Sequence, residues 1–300
     1  MTDNAIHAVD QSTLPLVVAV DGSVISYQAV AWAAVEARLR QWPLHILTAY
    51  GIPNVAAGQG AATAPDVAWL RKDGERVLAE ATRIVENTVP DGAIEISTEF
   101  TFDSIIPTLL RQSTRARMLV VGNRGRGAVR RAILGSVSTA ATRGAHCPVA
   151  VVPGVSETDP GAATEPVVVG VDGTENSVPA IEFAFEEASR RKVGLIAVHA
   201  WSDTTGFDLP VVGWEDIRQT EELLLGESLA GFAERYPEVT VERVVACDTP
   251  VRALLEHADK AQLLVVGSHG RGGVKGMLIG STSTTLLHLA PCPMLVVRRA

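Results

Sequence analysis

GNRGRGAVRRAILGS, from Gly122 to Ser136, and GSHGRGGVKGMLIGS, from Gly267 to Ser281, are one pattern written twice. In each copy two residues separate the first glycines, Gly122 and Gly125 or Gly267 and Gly270. Nine more lead to a Gly-Ser step, Gly135-Ser136 or Gly280-Ser281. An apolar run precedes each copy, MLVV ending at Val121 and LLVV ending at Val266. A buried strand that feeds a glycine loop and then a helix start brings main-chain N–H groups close to an anion. Glycine removes the Cβ that would hold the anion off, and the first turn of a helix adds unpaired donors and a favourable dipole. The spacing, kept in two places, predicts a phosphate-cradling loop in each half of the chain.

The repeat extends outward from these loops. PLVVAVDGS from Pro15 aligns with PVVVGVDGT from Pro166, and the match runs without a gap to Tyr50 and Trp201 with roughly 14 identities in about 36 positions. Further along, Asp103, Cys147 and Pro148 fall against Asp248, Cys292 and Pro293. Each unit is about 140 residues, long enough for a core of its own, so a whole domain is duplicated. The stretch PGVSETDPGAATEP between the copies has the Pro, Gly, Ser and Thr content of a surface linker. The division expected is residues 1–154, a linker over 155–165, and residues 166–300.

Within a unit, strand and helix patterns alternate. Leu16 to Asp21 is a nearly continuous apolar run, as in a parallel strand buried on both faces, and the Ala-rich segment from Ser26 to Gln41 reads as a helix. Strands at 44–50, 94–100, 118–122 and 148–152 follow, with helices at about 66–87, after Asp103 as N-cap, and after Ser136. The second half repeats the series. This α/β pattern implies two tandem domains, each an open, mostly parallel five-stranded sheet with helices on both faces. Such sheets bind ligands beyond the carboxyl ends of their strands, where the strand order reverses. If the first and fourth strands are neighbours, Asp21 faces the Gly122 loop and Asp172 faces the Gly267 loop across a crevice.

Composition narrows the function classes. With 47% hydrophobic and 20% charged residues and a mean hydropathy of +0.19, the chain has ample material for two cores. A formal charge of −8 and a pI near 5.4 argue against general nucleic-acid binding, which needs a basic surface to release counterions. No stretch approaches the roughly 20 apolar residues that span a bilayer, and the first residues lack the charged and apolar regions of a secretion signal, so no membrane role and a cytoplasmic location are expected. Cys147, Cys247 and Cys292 form no C-x-x-C, and the first and last read as small packing residues. The histidines are scattered, His199 reads as a satisfied core residue, and no metal site is expected among them. The five tryptophans read as packing or dimer contacts.

The doubled G-x2-G-x9-G-S pattern, with an aspartate after each first strand, resembles the nucleotide-binding class of the universal stress protein family in its tandem form, over Pro15 to Arg298. The resemblance implies Rossmann-like domains of the adenine nucleotide alpha hydrolase type. It further implies an ATP-binding regulator of stress adaptation or growth arrest, with Mg2+ accompanying the nucleotide, that forms a homodimer. Tandem members of this kind are familiar in mycobacteria and other actinobacteria. Position by position, Gly122, Gly125, Gly135 and Ser136, and Gly267, Gly270, Gly280 and Ser281, would hold phosphates and ribose. Asp21 and Asp172 would meet the nucleoside or its metal, with Ala19 and Gly170 leaving room. Ala49, Ala200, Val121 and Val266 would line the adenine pocket with apolar surface and backbone hydrogen bonds, Val137 and Thr282 would add backbone contacts, and Arg126 and Arg271 would reach outer phosphates. Arg124 stands where the second copy has His269, a difference that would make the two affinities unequal.

Other readings compete. The glycine loops are also explicable as tight connections, the aspartates as turn residues in DGS and DGT, and Arg124, Arg126, Arg130 and Arg131 as a solvated face. A slow Mg-dependent ATPase or phosphotransferase is the enzyme alternative. No G-x-x-x-x-G-K-[ST] string supplies a P-loop lysine, no kinase motif set occurs, and no catalytic residue is assigned. A dinucleotide oxidoreductase shares the fold class, but here the glycine loop follows the fourth strand and fails G-x-G-x-x-G. A scaffold with vestigial sites, acting through a protein partner, is the remaining alternative. The final strands, from Pro148 and Pro293, are expected to pair edge to edge between halves or protomers.

Overall fold

Four residues, Leu16–Ala19 (β1), start the first half; three are buried, and they feed α1 (Val24–Arg40) through the turn at Asp21 and Gly22. This computed structural model describes residues 14–51, 64–125, 134–154, 164–201, 214–270 and 279–298. The first half continues with β2 (Leu44–Ala49), α2 (Ala64–Thr88), β3 (Ile96–Thr101), α3 (Ile105–Gln112), β4 (Met118–Gly122), α4 (Ser136–Gly144) and β5 (Val149–Val152). The second half repeats it as β6 (Val167–Gly170), α5 (Val178–Arg191), β7 (Leu195–Ala200), α6 (Trp214–Arg235), β8 (Val241–Ala246), α7 (Pro250–Ala258), β9 (Leu263–Gly267), α8 (Ser281–Leu289) and β10 (Met294–Val297).

The strands form one ten-stranded sheet in the order β3-β2-β1-β4-β5-β10-β9-β6-β7-β8. Every pairing within a half is parallel, and β1 lies between β2 and β4, so the order reverses around β1 as expected. The same holds around β6. The halves meet through one antiparallel pair, β5 with β10, in which Ala150 stands opposite Leu295. Of the two pairings expected for the last strands, the one between halves is present. The edge strands β3 and β8 end the sheet.

Successive strand residues point to opposite faces, and this period divides the core in two. Leu16, Val18, Met118 and Val120 pack under α1, α2, α5 and α6 with Phe185 and Leu225. Val17, Leu119, Val121 and Met294 pack under α3, α4, α7 and α8 with Leu109 and Leu254. Cys147 and Cys292 are buried in this second layer, where burial pushes both thiols up to about 12, so they act as packing groups.

Two local readings need correction. Asp103 does not cap α3: Ser104 holds the N-cap position, and the Asp103 carboxylate accepts from Arg111 at 3.0 Å. The first strands also end earlier than their apolar runs, at Ala19 and Gly170, because the chain turns at Asp21-Gly22 and Asp172-Gly173. Both turn glycines take positive φ, 81° and 73°, which an L side chain resists.

The halves are also joined by charge. Glu36 and Arg40 on α1 correspond in the repeat to Glu187 and Arg191 on α5, and the four meet in the helical layer on the pseudo-twofold axis. Arg191 donates to Glu187 Oε2 at 2.7 Å and to Glu36 Oε2 at 2.6 Å. Arg40 donates to Glu36, to Glu187 and, at 3.0 Å, to Glu186. The guanidinium of Arg40 lies 4.2 Å from the Phe183 ring centroid, and that of Arg191 5.8 Å from Trp32, again equivalent positions. Burial first, and then the charge of Glu187, raises the Glu36 carboxyl to about 7 against Arg191 and Arg40. For Glu187 burial acts upward too, but Arg191 and Arg40 prevail and hold it at about 2. The two carboxyls titrate as a coupled pair, Glu36 above and Glu187 below the ordinary carboxylate range.

Candidate functional site

Beyond the carboxyl ends of β1 and β4, and again of β6 and β9, the predicted partners come together. The Asp21 carboxylate caps its own turn, Oδ1 accepting from the Ser23 N–H at 3.0 Å. Its Oδ2 lies against Gly125, where a Cβ would stand only 2.3 Å away. Asp172 makes the same turn, accepting from the Thr174 N–H and hydroxyl, both at 2.8 Å. Here the corresponding glycine, Gly270, is looser, with 3.4 Å between Asp172 Oδ2 and a Cβ placed on it. Aspartate and glycine loop therefore face each other in both crevices.

Hydrogen bonds join the two ends of each loop. The Gly135 N–H donates to the Asn123 carbonyl at 2.8 Å, and the Gly280 N–H to the Ser268 carbonyl at 2.7 Å. The Ser138 hydroxyl donates to the Gly122 carbonyl at 2.6 Å, and Ser283 to Gly267 at 2.7 Å. These serines bind helix start to strand end, and sequence reasoning overlooked them. The signal was present, since both copies read G-S-x-S. Gly135 and Gly280 are the N-caps of α4 and α8 and carry no capping side chain. The first-turn N–H groups, beginning with exposed Ser136 and Ser281, therefore have no partner within the helix and present a partial positive charge. In the first crevice the buried Asn123 Oδ1 has no hydrogen-bond partner among the described residues.

The other expected positions divide. Ala19, Ala49 and Ala200 are half-buried at strand ends, and Val137 and Thr282 sit half-buried in the first turns of α4 and α8. Val121 and Val266 turn inward to the second core layer, 2% and 4% exposed, so what they offer the crevice is backbone. Gly170 leaves room chiefly for Leu254 of α7, whose Cδ1 would lie 3.2 Å from a Cβ there. Arg126, Arg130, Arg131 and Arg271 lie outside the described residues. His199 is fully buried, its Nδ1 donating to the Val171 carbonyl and its Nε2 facing Glu221 Oε2, both at 2.7 Å. It ties α6 to the residue preceding Asp172. In the first half Thr48 takes the register position of His199, and Tyr50 ties down α2 instead, donating to Asp73 at 2.6 Å. Trp32 and Trp42 pack against the core, whereas Trp69 is exposed.

The family model described as "Universal stress protein family" matches residues 14–153 and 164–298, one match to each half. The chain belongs to the universal stress protein family. A universal stress protein of Mycobacterium tuberculosis strain H37Rv is 42% identical over 293 residues, covering 95% of this chain and 97% of that one. A second from the same strain is 40% identical over 291 residues, covering 96% and 98%. Among solved structures, a universal stress protein from Archaeoglobus fulgidus covers 95% of this chain and 98% of its own, with a TM-score of 0.67 at 19% identity, a likeness of fold. Among the described residues no group of three or more His, Cys, Asp and Glu is placed to hold a metal ion, and no helix is long and apolar enough to cross a membrane.

Proposed function

We propose that this universal stress protein binds an adenine nucleotide, ATP, in each of its two crevices and acts in the cell as a nucleotide-dependent regulator of stress adaptation or growth arrest, without an enzymatic step of its own. One observation carries the reading. Both halves set a glycine loop and an uncapped helix start against an aspartate across the strand-order reversal, with the same serine lock. The residues fit such a ligand. At Gly135 and Gly280 an added Cβ would meet its neighbours only at ordinary contact distance, 3.4 and 3.5 Å at the nearest, so the protein itself does not clash with a larger side chain at either helix start. Exposed N–H groups at a helix N-terminus suit phosphate oxygens, while the aspartates suit ribose hydroxyls or a cation. Asn123 Oδ1 adds an acceptor for a ligand O–H or N–H. Mg2+ would ride on the phosphates with at most one carboxylate from the protein, which is its usual manner of binding.

Nucleotide binding orders the loops, and the state of the loops alters the surface shown to a protein partner. The β5 edge is already used within the chain, so a homodimer is expected to form through another surface. Titration of the Gly135→Val, Gly280→Val double variant with Mg-ATP tests the reading. ATP binding should disappear while the melting temperature stays near that of the parent. Unchanged affinity in a folded double variant contradicts it, and metal-dependent turnover lost in Asp172→Ala would move the protein to the enzyme class.

A further inference from the structure

The β3 and β8 edges occupy equivalent places in the two halves, yet they differ where each meets its covering helix. Strand register makes Phe100 and Val245 counterparts, since each stands two residues beyond the strand position opposite Ile46 or Ala197. In the first half the Phe100 ring fills the junction. It lies on Gly74 of α2, where a Cβ would come within 2.3 Å of it, packs beside Tyr50 and Phe102, and is covered by the Arg71 guanidinium. In the second half the smaller Val245 stands in that place, and a cavity of about 530 Å³ opens between α6 and β8. Leu223, Leu225 and Val245 supply its apolar wall, and Gln219, Glu222 and Arg243 its polar groups. Leu223 is 69% exposed at the lip.

The charges within the groove are unequal. Glu222 is engaged by Arg218, which also pairs with Glu215. Arg243 has no ion pair or hydrogen bond among the described residues, and its Nη1 rests over the bare backbone of Gly226, 3.2 Å from where a Cβ would be. The geometry points to a second kind of ligand site, distinct from the nucleotide crevices: the α6–β8 groove takes a small amphipathic monocarboxylate. The ligand's apolar body lies on Leu223, Leu225 and Val245, its carboxylate meets the Arg243 fork, and Gln219 offers a further donor. The volume is that of a small-molecule pocket, and a planar guanidinium beside an apolar wall matches a carboxylate with a hydrocarbon tail.

The test is calorimetric titration of the full chain with sodium octanoate, alongside 1-octanol as the uncharged analogue, and with butanoate, decanoate and benzoate to cover size. Octanoate should bind once per chain. Val245→Phe, which installs the residue of the first half, should abolish binding. Arg243→Gln should weaken octanoate roughly tenfold or more and leave octanol unaffected, the mark of a lost charge-assisted pair. Arg243 and Leu223 are exposed, so Arg243→Gln and Leu223→Ala decide the matter even if Val245→Phe does not fold. Failure of all four carboxylates to bind, or octanoate binding that none of the three variants changes, overturns the proposal.

Discussion

The two nucleotide crevices share a frame but differ in fit. The first presses Gly125 onto Asp21, whereas the second leaves an ordinary contact between Gly270 and Asp172. The first carries Arg124 and an Asn123 oxygen with no partner among the described residues, while the second carries His269 with its Nδ1 3.0 Å from the Ser268 hydroxyl. By contrast the seam between the halves pairs equivalent residues, with Glu36, Arg40 and Glu187 buried and Arg191 nearly so. Both crevices keep the aspartate, the glycine loop and the serine lock, and they differ in the details around them; the seam pairs the same residue types from both halves. A buried charge is tolerable only while its partner stays, so the seam cannot drift one residue at a time.

The strongest way to break this contrast is at the seam. Arg40→Ala or Arg191→Ala should each destabilise the chain by about 3–5 kcal/mol, read by chemical denaturation, because either leaves a buried carboxylate uncompensated. Replacing all four residues by apolar ones of similar volume should cost far less or even stabilise. The same cluster has a pH dependence of defined sign. Glu36 keeps its proton longer in the folded chain, so its contribution is complete below about 4.5 and is lost as pH rises through about 7. Glu187 behaves oppositely, its contribution being present above about 4.5 and lost as pH falls toward about 2. Glu36→Gln should remove the loss of stability between pH 5 and 7; an unaltered profile would sink the assignment.

The next largest effect lies in the crevices. Gly125→Ala forces Asp21 aside and should weaken nucleotide binding at the first site roughly tenfold, about 1.4 kcal/mol. Gly270→Ala meets only a van der Waals contact and should change the second site much less. Site-resolved titration, with the other crevice blocked by the Gly→Val change at its helix start, separates the two; equal losses would show that the difference in fit has no consequence for binding.

Much of this was legible in the sequence. The alternating pattern gave the strand and helix series, and the doubled glycine spacing located both loops, because those features are local or repeat exactly. The pairing of β1 with β4 was legible only as a condition, met once the topology was seen. The seam was not read, although E-x-x-x-R stands at equivalent places in two Ala-rich helices. On one helix such a pair looks like an exposed i,i+4 bridge, and only the crossing of α1 and α5 buries it. For Val121 and Val266 the resemblance implies both apolar surface and backbone contacts in the pocket; the pleat sends their side chains into the core and leaves only the backbone to the crevice. The roles of Ser138 and Ser283 are not evident in the sequence because their partner carbonyls lie 16 residues back, on the far side of the loop.

The smallest expected difference concerns helix starts. Thr249 caps α7 by accepting from the Arg252 N–H at 3.4 Å, while its counterpart Ser104 makes no side-chain cap bond to α3. Thr249→Ala should cost about 1 kcal/mol and Ser104→Ala close to nothing, as measured by thermal and chemical unfolding of the two variants.

The central claim is that both crevices hold adenine nucleotide, and the direct measurement is to denature freshly purified protein and quantify the released nucleotide by mass spectrometry. Two adenine nucleotides per chain is the result expected. The absence of any, joined to no rise in melting temperature with millimolar Mg-ATP, contradicts it, since saturation at a hundred to a thousand times Kd should add about 3 to 4 kcal/mol.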